Sequence, residues 1–187
     1  GCASATRGIW FPGYDQSTYI KSIFFTTISS QGGVNDFGDT FNTSSNHSGA
    51  CSDSTRAVRA EGYNADLSTR TNTLEFITIA STGDSSEFGD LNRVVSDMAG
   101  SFASRTRGFF GGGKGPETNI IDFITIQSKG NAIDFGDLID GTRAEGSGSA
   151  NSTRGLFFGG SGPGSADTIQ FITMATLGNA TDFGNLS

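Results

Sequence analysis

One phrase recurs four times along the chain and restricts its fold more than any other feature. It occurs as NDFGD at 35–39, SEFGD at 86–90, IDFGD at 133–137 and TDFGN at 181–185. The glycines of the phrase are separated by 51, 47 and 48 residues. Self-similarity at this spacing is the signature of a repeat architecture, in which each repeat is one supersecondary unit.

The letters Asp-Phe-Gly also mark the magnesium-binding loop of protein kinases, but the rest of the sequence excludes that interpretation. A kinase needs one such Asp, with a glycine-rich loop, a strand lysine and an HRD-type catalytic loop. None of these partners is present. The segment GGGKGPE at 111–117 is not a P-loop either, because Lys114 is followed by Gly115 and not by Ser or Thr. We therefore expect no cofactor.

Two further landmarks keep constant offsets from the phrase. An arginine follows each of the first three phrase glycines by 18 residues, and a strand-like segment of the IDFITI type places a phenylalanine 12 residues before each phrase phenylalanine. The predicted structural frame is therefore Arg7, Arg56, Arg107, Arg154, Phe37, Phe88, Phe135 and Phe183. We expect the arginines to pair with acids or carbonyls of a neighbouring repeat; the alternative is a ring of arginines that holds an anionic ligand.

The carboxylates of the phrase have two interpretations. They could bind calcium, which prefers clustered oxygen ligands. Two acids three residues apart fall well short of a complete ligand loop, so the favoured interpretation is that the first acid caps a tight turn. We predict no metal site.

The strand-like segments are apolar on both faces. In IDFITI, Ile121 and Phe123 point to one face of the strand while Ile124 and Ile126 point to the other, since side chains alternate. A sheet with one wet face would alternate apolar and polar residues instead. Both faces are therefore predicted to be covered by neighbouring sheets. The glycine pair Gly159–Gly160 is expected where the backbone turns with positive φ.

Residues 142–186, TRAEGSGSANSTRGLFFGGSGPGSADTIQFITMATLGNATDFGNL, resemble a kelch repeat. They contain an arginine-led strand, a strand closing on Gly-Gly, a variable loop, a third strand and a late aromatic. The phenylalanine of Asp-Phe-Gly stands where kelch blades usually carry tryptophan. The series STRG, FFGG, FITI and NATDFGNL also resembles repeats of structural and tail-associated proteins of marine bacteriophages.

The resemblance implies an all-β fold, a β-propeller of four kelch-like repeats of about 47–51 residues in a single domain spanning 1–187. The predicted repeats are 7–55, 56–106, 107–153, and 154–187 plus 1–6. GCASATRG at the N-terminus aligns with ACSDSTRA at 50–57, so the N-terminal strand is a candidate for closing the ring. The alternatives are an open β repeat array and a β-solenoid.

Composition agrees with many short strands and bounds the partners. The chain has 28 glycines, 16 phenylalanines and a net charge of −7, which argues against a nucleic-acid surface. No apolar stretch approaches the length of a membrane span. Cys2 and Cys51 occupy equivalent repeat positions that suit packing better than a disulfide.

The residues that differ between repeats are the candidates for ligand contact. These are Trp10, Tyr14, Tyr19 and Tyr63, for a sugar ring or a protein partner. Trp10 occupies a strand position equivalent to core phenylalanines, so a packing role competes with ligand contact. No catalytic residue is predicted: His47, the one histidine, lies in a polar loop segment without a GxSxG elbow.

Two classes of function follow. The first is a non-enzymatic structural or binding propeller of a phage-like virion or tail appendage, with virion or extracellular localisation, that associates with a protein, itself or a surface glycan. The second is a polysaccharide hydrolase or lyase, which needs paired carboxylates about 5–10 Å apart in an open cleft. Asp15 near Tyr14 and Glu61 near Tyr63 come closest to such a site.

Overall fold

The computed structural model describes residues 1–14, 17–43, 48–139, 146–161 and 167–186. Throughout these residues the chain is all-β: every strand pairing is antiparallel and no helix occurs. Four sheets of four strands follow one another along the chain, and a two-stranded hairpin is inserted in the second. The all-β class predicted from the repeats is confirmed.

Each sheet is built from one consecutive stretch of chain. Sheet 1 contains β1 Cys2–Ala3, β2 Arg7–Trp10, β3 Ser22–Thr27 and β4 Asn35–Asp39. Sheet 2 contains β5 Ala50–Ser52, β6 Arg56–Ala60, β9 Thr73–Thr78 and β10 Ser86–Asp90, and its hairpin contains β7 Tyr63–Asn64 and β8 Thr69–Arg70. Sheet 3 contains β11 Gly100–Ala103, β12 Arg107–Gly113, β13 Thr118–Thr125 and β14 Ile133–Asp137. Sheet 4 contains β15 Ser147–Ala150, β16 Arg154–Phe158, β17 Thr168–Thr173 and β18 Thr181–Asn185.

The sheets begin one strand earlier than the predicted repeats. Each repeat arginine opens the second strand of its sheet. The N-terminal strand β1 pairs with β2 of sheet 1, with Cys2 opposite Ile9. Sheet 4 takes all four of its strands from residues 147–185.

The repeated Asp-Phe-Gly phrase is a β-bulge. In sheet 3, Ile121 is opposite Gly136 and Asp122 is opposite Asp134, so Phe135 is the extra residue of β14. Gly136 has φ of +147°, a conformation that L side chains rarely adopt. The same register shift and a glycine of positive φ occur in the other three sheets. The bulge turns the phenylalanine towards the next sheet.

The sheets pack face to face in chain order. On β13, Ile121 and Phe123 belong to a buried cluster shared with sheet 4, while Ile124 and Ile126 belong to a cluster shared with sheet 2. The prediction that both faces of this strand are covered is confirmed. The predicted positive φ after β16 is also confirmed, with +68° at Gly159 and +101° at Gly160.

The first strands of the four sheets lie beside one another. Strands β1, β5, β11 and β15 contact each other in that order. Residues at the start of all four, from Gly1 to Gly148, line a cavity of about 420 Å3. The four sheets therefore share one inner edge, formed by their shortest strands.

Candidate functional site

The frame residues form the same contacts in every sheet. In sheet 3 the Arg107 guanidinium lies 4.8 Å from the Phe123 ring centre, and Phe135 meets Phe123 edge-on with ring centres 5.9 Å apart. Arg107 Nη1 donates to the Met174 carbonyl oxygen of sheet 4 at 2.9 Å. Arg7 and Arg56 likewise donate to the carbonyls of Ile79 and Ile126 in the following sheet. These arginines therefore join sheets, and the stacking fixes the 12-residue spacing of the two phenylalanines.

Backbone hydrogen bonds extend each junction between sheets. At the junction of sheets 3 and 4, Gly178 N donates to Phe135 O at 2.9 Å and Ala180 N donates to Asp137 O at 2.8 Å. A side chain adds a third bond, from Asp137 N to Asn179 Oδ1 at 3.1 Å. A Cβ on Gly136 would lie 2.5 Å from Gly178 O. Glycine is therefore required at this point by close approach of two backbones as well as by φ.

The turn before each repeat arginine is closed by a short polar side chain. In sheet 2, Asp53 Oδ1 accepts hydrogen bonds from Thr55 N at 2.7 Å and Arg56 N at 2.8 Å. Ser4, Ser104 and Asn151 do the same in the other sheets. Such a side chain imitates a backbone turn, which explains the recurring Ser, Asp or Asn three residues before the arginine.

The acids of the repeated phrase have local structural contacts. Asp134 Oδ1 accepts from Gly136 N at 3.1 Å, and Asp182 Oδ1 accepts from Gly184 N at 3.0 Å. Among the residues that the structure describes, no group of three or more His, Cys, Asp or Glu side chains could hold a metal ion. At these two positions the first acid of the phrase makes the turn-capping hydrogen bond predicted from the sequence.

A buried ion pair at the junction of sheets 1 and 2 was not anticipated from the sequence. Arg59 is fully buried, and its Nη1 donates to Glu75 Oε1 at 2.7 Å. The other oxygen of Glu75 accepts from Ser85 Oγ at 2.5 Å and Phe41 N at 2.9 Å. Burial lowers the pKa of the Arg59 guanidinium, and the Glu75 carboxylate opposes that change. The available signal was Glu75 beside the strand phenylalanine Phe76.

Equivalent positions in sheets 3 and 4 also carry buried polar groups. Asp122, equivalent to Glu75, is paired with Arg93 and accepts from Asn92 Nδ2 at 2.8 Å. Burial raises the pKa of Asp122, and Arg93 opposes the increase. Gln170 takes the same position in sheet 4, where its Oε1 accepts from Ile139 N at 2.8 Å. Each junction thus contains one polar acceptor from the third strand of the following sheet.

The two cysteines are free and pack on the following sheet. A Cβ placed on Gly108 of sheet 3 would lie 2.3 Å from Cys51 Sγ, so this thiol fills the space above the glycine. Burial raises the pKa of the Cys2 thiol to about 11 and also raises that of Cys51. Both thiols are therefore protonated near neutral pH and serve as packing groups.

The predicted ligand-contact residues lie in two places. The rings of Tyr14 and Tyr19 contact each other with centres 5.0 Å apart, and their exposed fractions are 51% and 37%. Trp10 is 46% exposed on sheet 1, although Phe110 and Phe157 at its equivalent positions are buried. Tyr63 is half-buried in the hairpin, opposite Arg70. The structure brings the first two together; Asp15 and His47 lie outside the described residues.

The loops between second and third strands contact one another along one edge of the sheets, here called the loop edge. Lys21 Nζ of sheet 1 lies 3.5 Å from Asp66 Oδ2 of the hairpin, and Thr43 N donates to the same oxygen. On the other side of the hairpin, Arg70 Nε donates to Ser96 Oγ, whose backbone pairs with Lys114 of sheet 3. The loop edge therefore runs continuously from sheet 1 to sheet 3.

Glu61, the acid near Tyr63, is buried. It is only 2% exposed, and its Oε2 accepts from Thr71 Oγ1 at 2.7 Å. Burial raises the pKa of this carboxyl above its usual range. The carboxylate is therefore held inside the protein.

Comparison with known proteins gives no family assignment. No protein-family model matches the chain. No curated protein is significantly similar to it. The described residues include no helix long and apolar enough to cross a bilayer.

Proposed function

We propose that the chain is a non-enzymatic structural and binding module, a propeller of kelch-like repeats that contacts a surface glycan through its loop edge. The observation that carries the proposal is the exposed pair Tyr14–Tyr19, whose rings are 5.0 Å apart. The repeated arginines and phenylalanines are used within and between the sheets. The two tyrosines are specific to repeat one and lie at the surface.

The chemistry of the pair suits a carbohydrate. A tyrosine ring offers an apolar face and a hydroxyl, so it can stack on a sugar ring and still hydrogen bond to it. Loops held by a rigid scaffold are a common place for such contacts. The similarity of the repeats to tail-associated proteins of marine bacteriophages extends the proposal to a virion or tail appendage that recognises a bacterial surface.

The test is binding of the chain to immobilised bacterial surface polysaccharides, with lipopolysaccharide and teichoic acid as the probes. We expect Tyr14→Ala combined with Tyr19→Ala to weaken binding about tenfold, since truncating a binding hot spot costs more than about 1.4 kcal/mol. Leu177→Ala is the matched control, because Leu177 is 63% exposed but lies in the β17–β18 turn, at the other end of the strands. Equal binding by the wild type and the tyrosine variant would overturn the assignment of the loop edge.

The same samples test the polysaccharide hydrolase or lyase alternative. That activity would release new reducing ends or unsaturated sugars from the probe. Glu61, its one acid candidate within the described residues, is buried and bonded to Thr71. We expect no release, and a release that disappears in Glu61→Gln would favour the enzyme over the binding module.

A further inference from the structure

Sheet 4 leaves exposed the face that sheets 1 to 3 bury against their successors. Phe183 is 56% exposed and Leu186 is 45% exposed. Their equivalents in sheet 3, Phe135 and Leu138, are 3% and 2% exposed because sheet 4 covers them. The outer face of sheet 4 thus presents apolar residues whose counterparts form a junction.

Sheet 1 leaves exposed the opposite face, which sheets 2 to 4 bury against their predecessors. Ile28 is 56% exposed and Val34 is 58% exposed. At the equivalent positions of sheet 3, Ile126 and Ala132 are 0% and 5% exposed. The two ends of the sheet array are therefore the two halves of one junction, and both are uncovered in the same molecule.

The backbone groups of a junction are also in place at both ends. Within the chain, the carbonyls of Phe135 and Asp137 accept from the sheet that follows. The equivalent carbonyls on sheet 4 belong to Phe183 and Asn185, and the equivalent donors on sheet 1 are Gly32 N and Val34 N. A Cβ on Gly184 would meet nothing within 4 Å. The close backbone approach made at the other junctions is thus open at this one.

Side-chain sizes at the two ends are complementary. At the internal junctions a first-strand side chain fills the space above a second-strand residue, as Phe102 does over Gly155, where a Cβ would lie 1.9 Å from its ring. On sheet 1 the space above Gly8 is already filled by Trp10, whose ring lies 3.2 Å from the Cβ position. The matching first-strand residue of sheet 4 is Ser149, which is smaller than the Cys or Phe of the other sheets.

We propose that sheet 4 of one copy packs on sheet 1 of a second copy, repeating the internal junction between molecules. Phe183 and Leu186 cover Ile28, the carbonyl of Phe183 accepts from Gly32 N of the second copy, and Arg154 donates to its Ile28 carbonyl. The occupant is a second copy because the complementary face belongs to this same chain and both faces are exposed together.

This contact is weaker than the internal junctions and joins two different surfaces. Gly33 stands where Asp84, Asn131 and Asn179 supply a side-chain acceptor, so one hydrogen bond of the junction is lost. A heterologous interface of this kind either closes into a ring or continues as a filament. Association is therefore expected to depend on protein concentration, and the inference does not depend on glycan binding.

The experiment is sedimentation velocity of the 187-residue chain over a wide range of concentration. Phe183→Asp blocks the sheet 4 face and Ile28→Asp blocks the sheet 1 face. Leu67→Asp is the control, because Leu67 is a 69% exposed apolar residue between β7 and β8. We expect the wild type and the control to associate, and each blocked variant to remain a monomer.

Mixing the two blocked variants decides the polarity of the interface. Phe183→Asp retains a good sheet 1 face and Ile28→Asp retains a good sheet 4 face, so an equimolar mixture should form a dimer and stop there. Circular dichroism checks that each variant is folded, and Leu186→Asp replaces Phe183→Asp if that chain unfolds. A wild type that stays monomeric at every concentration, or a mixture that stays monomeric, overturns the proposal.

Discussion

The junctions at the two ends of the chain solve one packing problem with different chemistry. Between sheets 1 and 2, the equivalent pair of second- and third-strand positions holds Arg59 and Glu75, a buried ion pair. Between sheets 3 and 4, the same positions hold Phe157, stacked on Phe102 with ring centres 4.7 Å apart, and Gln170. The backbone frame is the same in both, so the frame tolerates either a charged or an apolar filling.

The difference matters because the two fillings fail differently. Removing one partner of a buried ion pair leaves an uncompensated charge, whereas replacing both partners by well-packed neutral groups is often neutral. The neutral junction has no such dependence. Swapping residues between the two junctions therefore separates the contribution of the frame from that of its filling.

The largest expected effect is from Glu75→Ala, which leaves Arg59 buried without its carboxylate and also removes the acceptor of Phe41 N. We expect a loss of about 3–5 kcal/mol in the free energy of unfolding. Gln170→Ala, the matching truncation at the neutral junction, strands only Ile139 N and should cost about 1–3 kcal/mol. Urea unfolding measures both.

The double variant Arg59→Phe with Glu75→Gln copies the neutral junction into the charged one. It should recover most of the stability that Glu75→Ala loses, because no charge remains buried and a side-chain oxygen is still present for Phe41 N. If it is as unstable as Glu75→Ala, the ion pair does more than fill the junction.

A smaller effect is expected from alanine in the bulge, and it isolates the contact between sheets. Gly136 and Gly184 have similar φ, +147° and +137°, but only Gly136 faces another backbone, with Gly178 O 2.5 Å from its Cβ position. Both substitutions strain the backbone by about 1–3 kcal/mol. Gly136→Ala should cost about 1–3 kcal/mol more, since it also overpacks the junction.

Thermal unfolding of the two alanine variants, at a concentration too low for association, checks this difference. Equal melting temperatures would mean that the sheets separate freely enough to admit a methyl group. The comparison of the junctions would then rest on side chains alone.

The smallest expected effect is a pH dependence confined to the charged end of the chain. Burial raises the pKa of Glu61 in the folded protein, so its protonated form is favoured there. Its contribution to stability is present below the ordinary value of 4.5 and is lost as the pH rises through the raised value. Glu61→Gln should therefore raise the melting temperature at pH 7 and leave it unchanged well below pH 4.5. A melting temperature that rises equally at both pH values would assign the effect to something other than ionisation.

The sequence predicted the frame well because the frame is set by spacing. Constant intervals between Arg107, Phe123 and Phe135 follow from one stacked and one edge-on ring contact that every sheet repeats. The covered faces of β13 follow from its apolar residues at alternating and adjacent positions. Such features are local, so one chain carries enough information to find them.

The filling of the junctions could not be predicted in the same way. Glu75, Asp122 and Gln170 are polar letters inside apolar strands, and their partners are distant in sequence: Arg93 for Asp122 and Ile139 for Gln170. The exposure of Trp10 was equally hidden, because its equivalents Phe110 and Phe157 are buried and only the absence of a covering sheet distinguishes it. These properties depend on which sheet faces which.

The fit of first-strand side chains onto second-strand glycines has a consequence for folding. Nearly identical repeats risk docking in the wrong sequential order while the chain collapses. Phe102 fits above Gly155 because that residue has no methyl group, and the same ring placed over Ala57 of sheet 2 would collide with one. Side-chain volume along the shortest strands therefore acts as a steric proofreading code that rejects this misordered assembly.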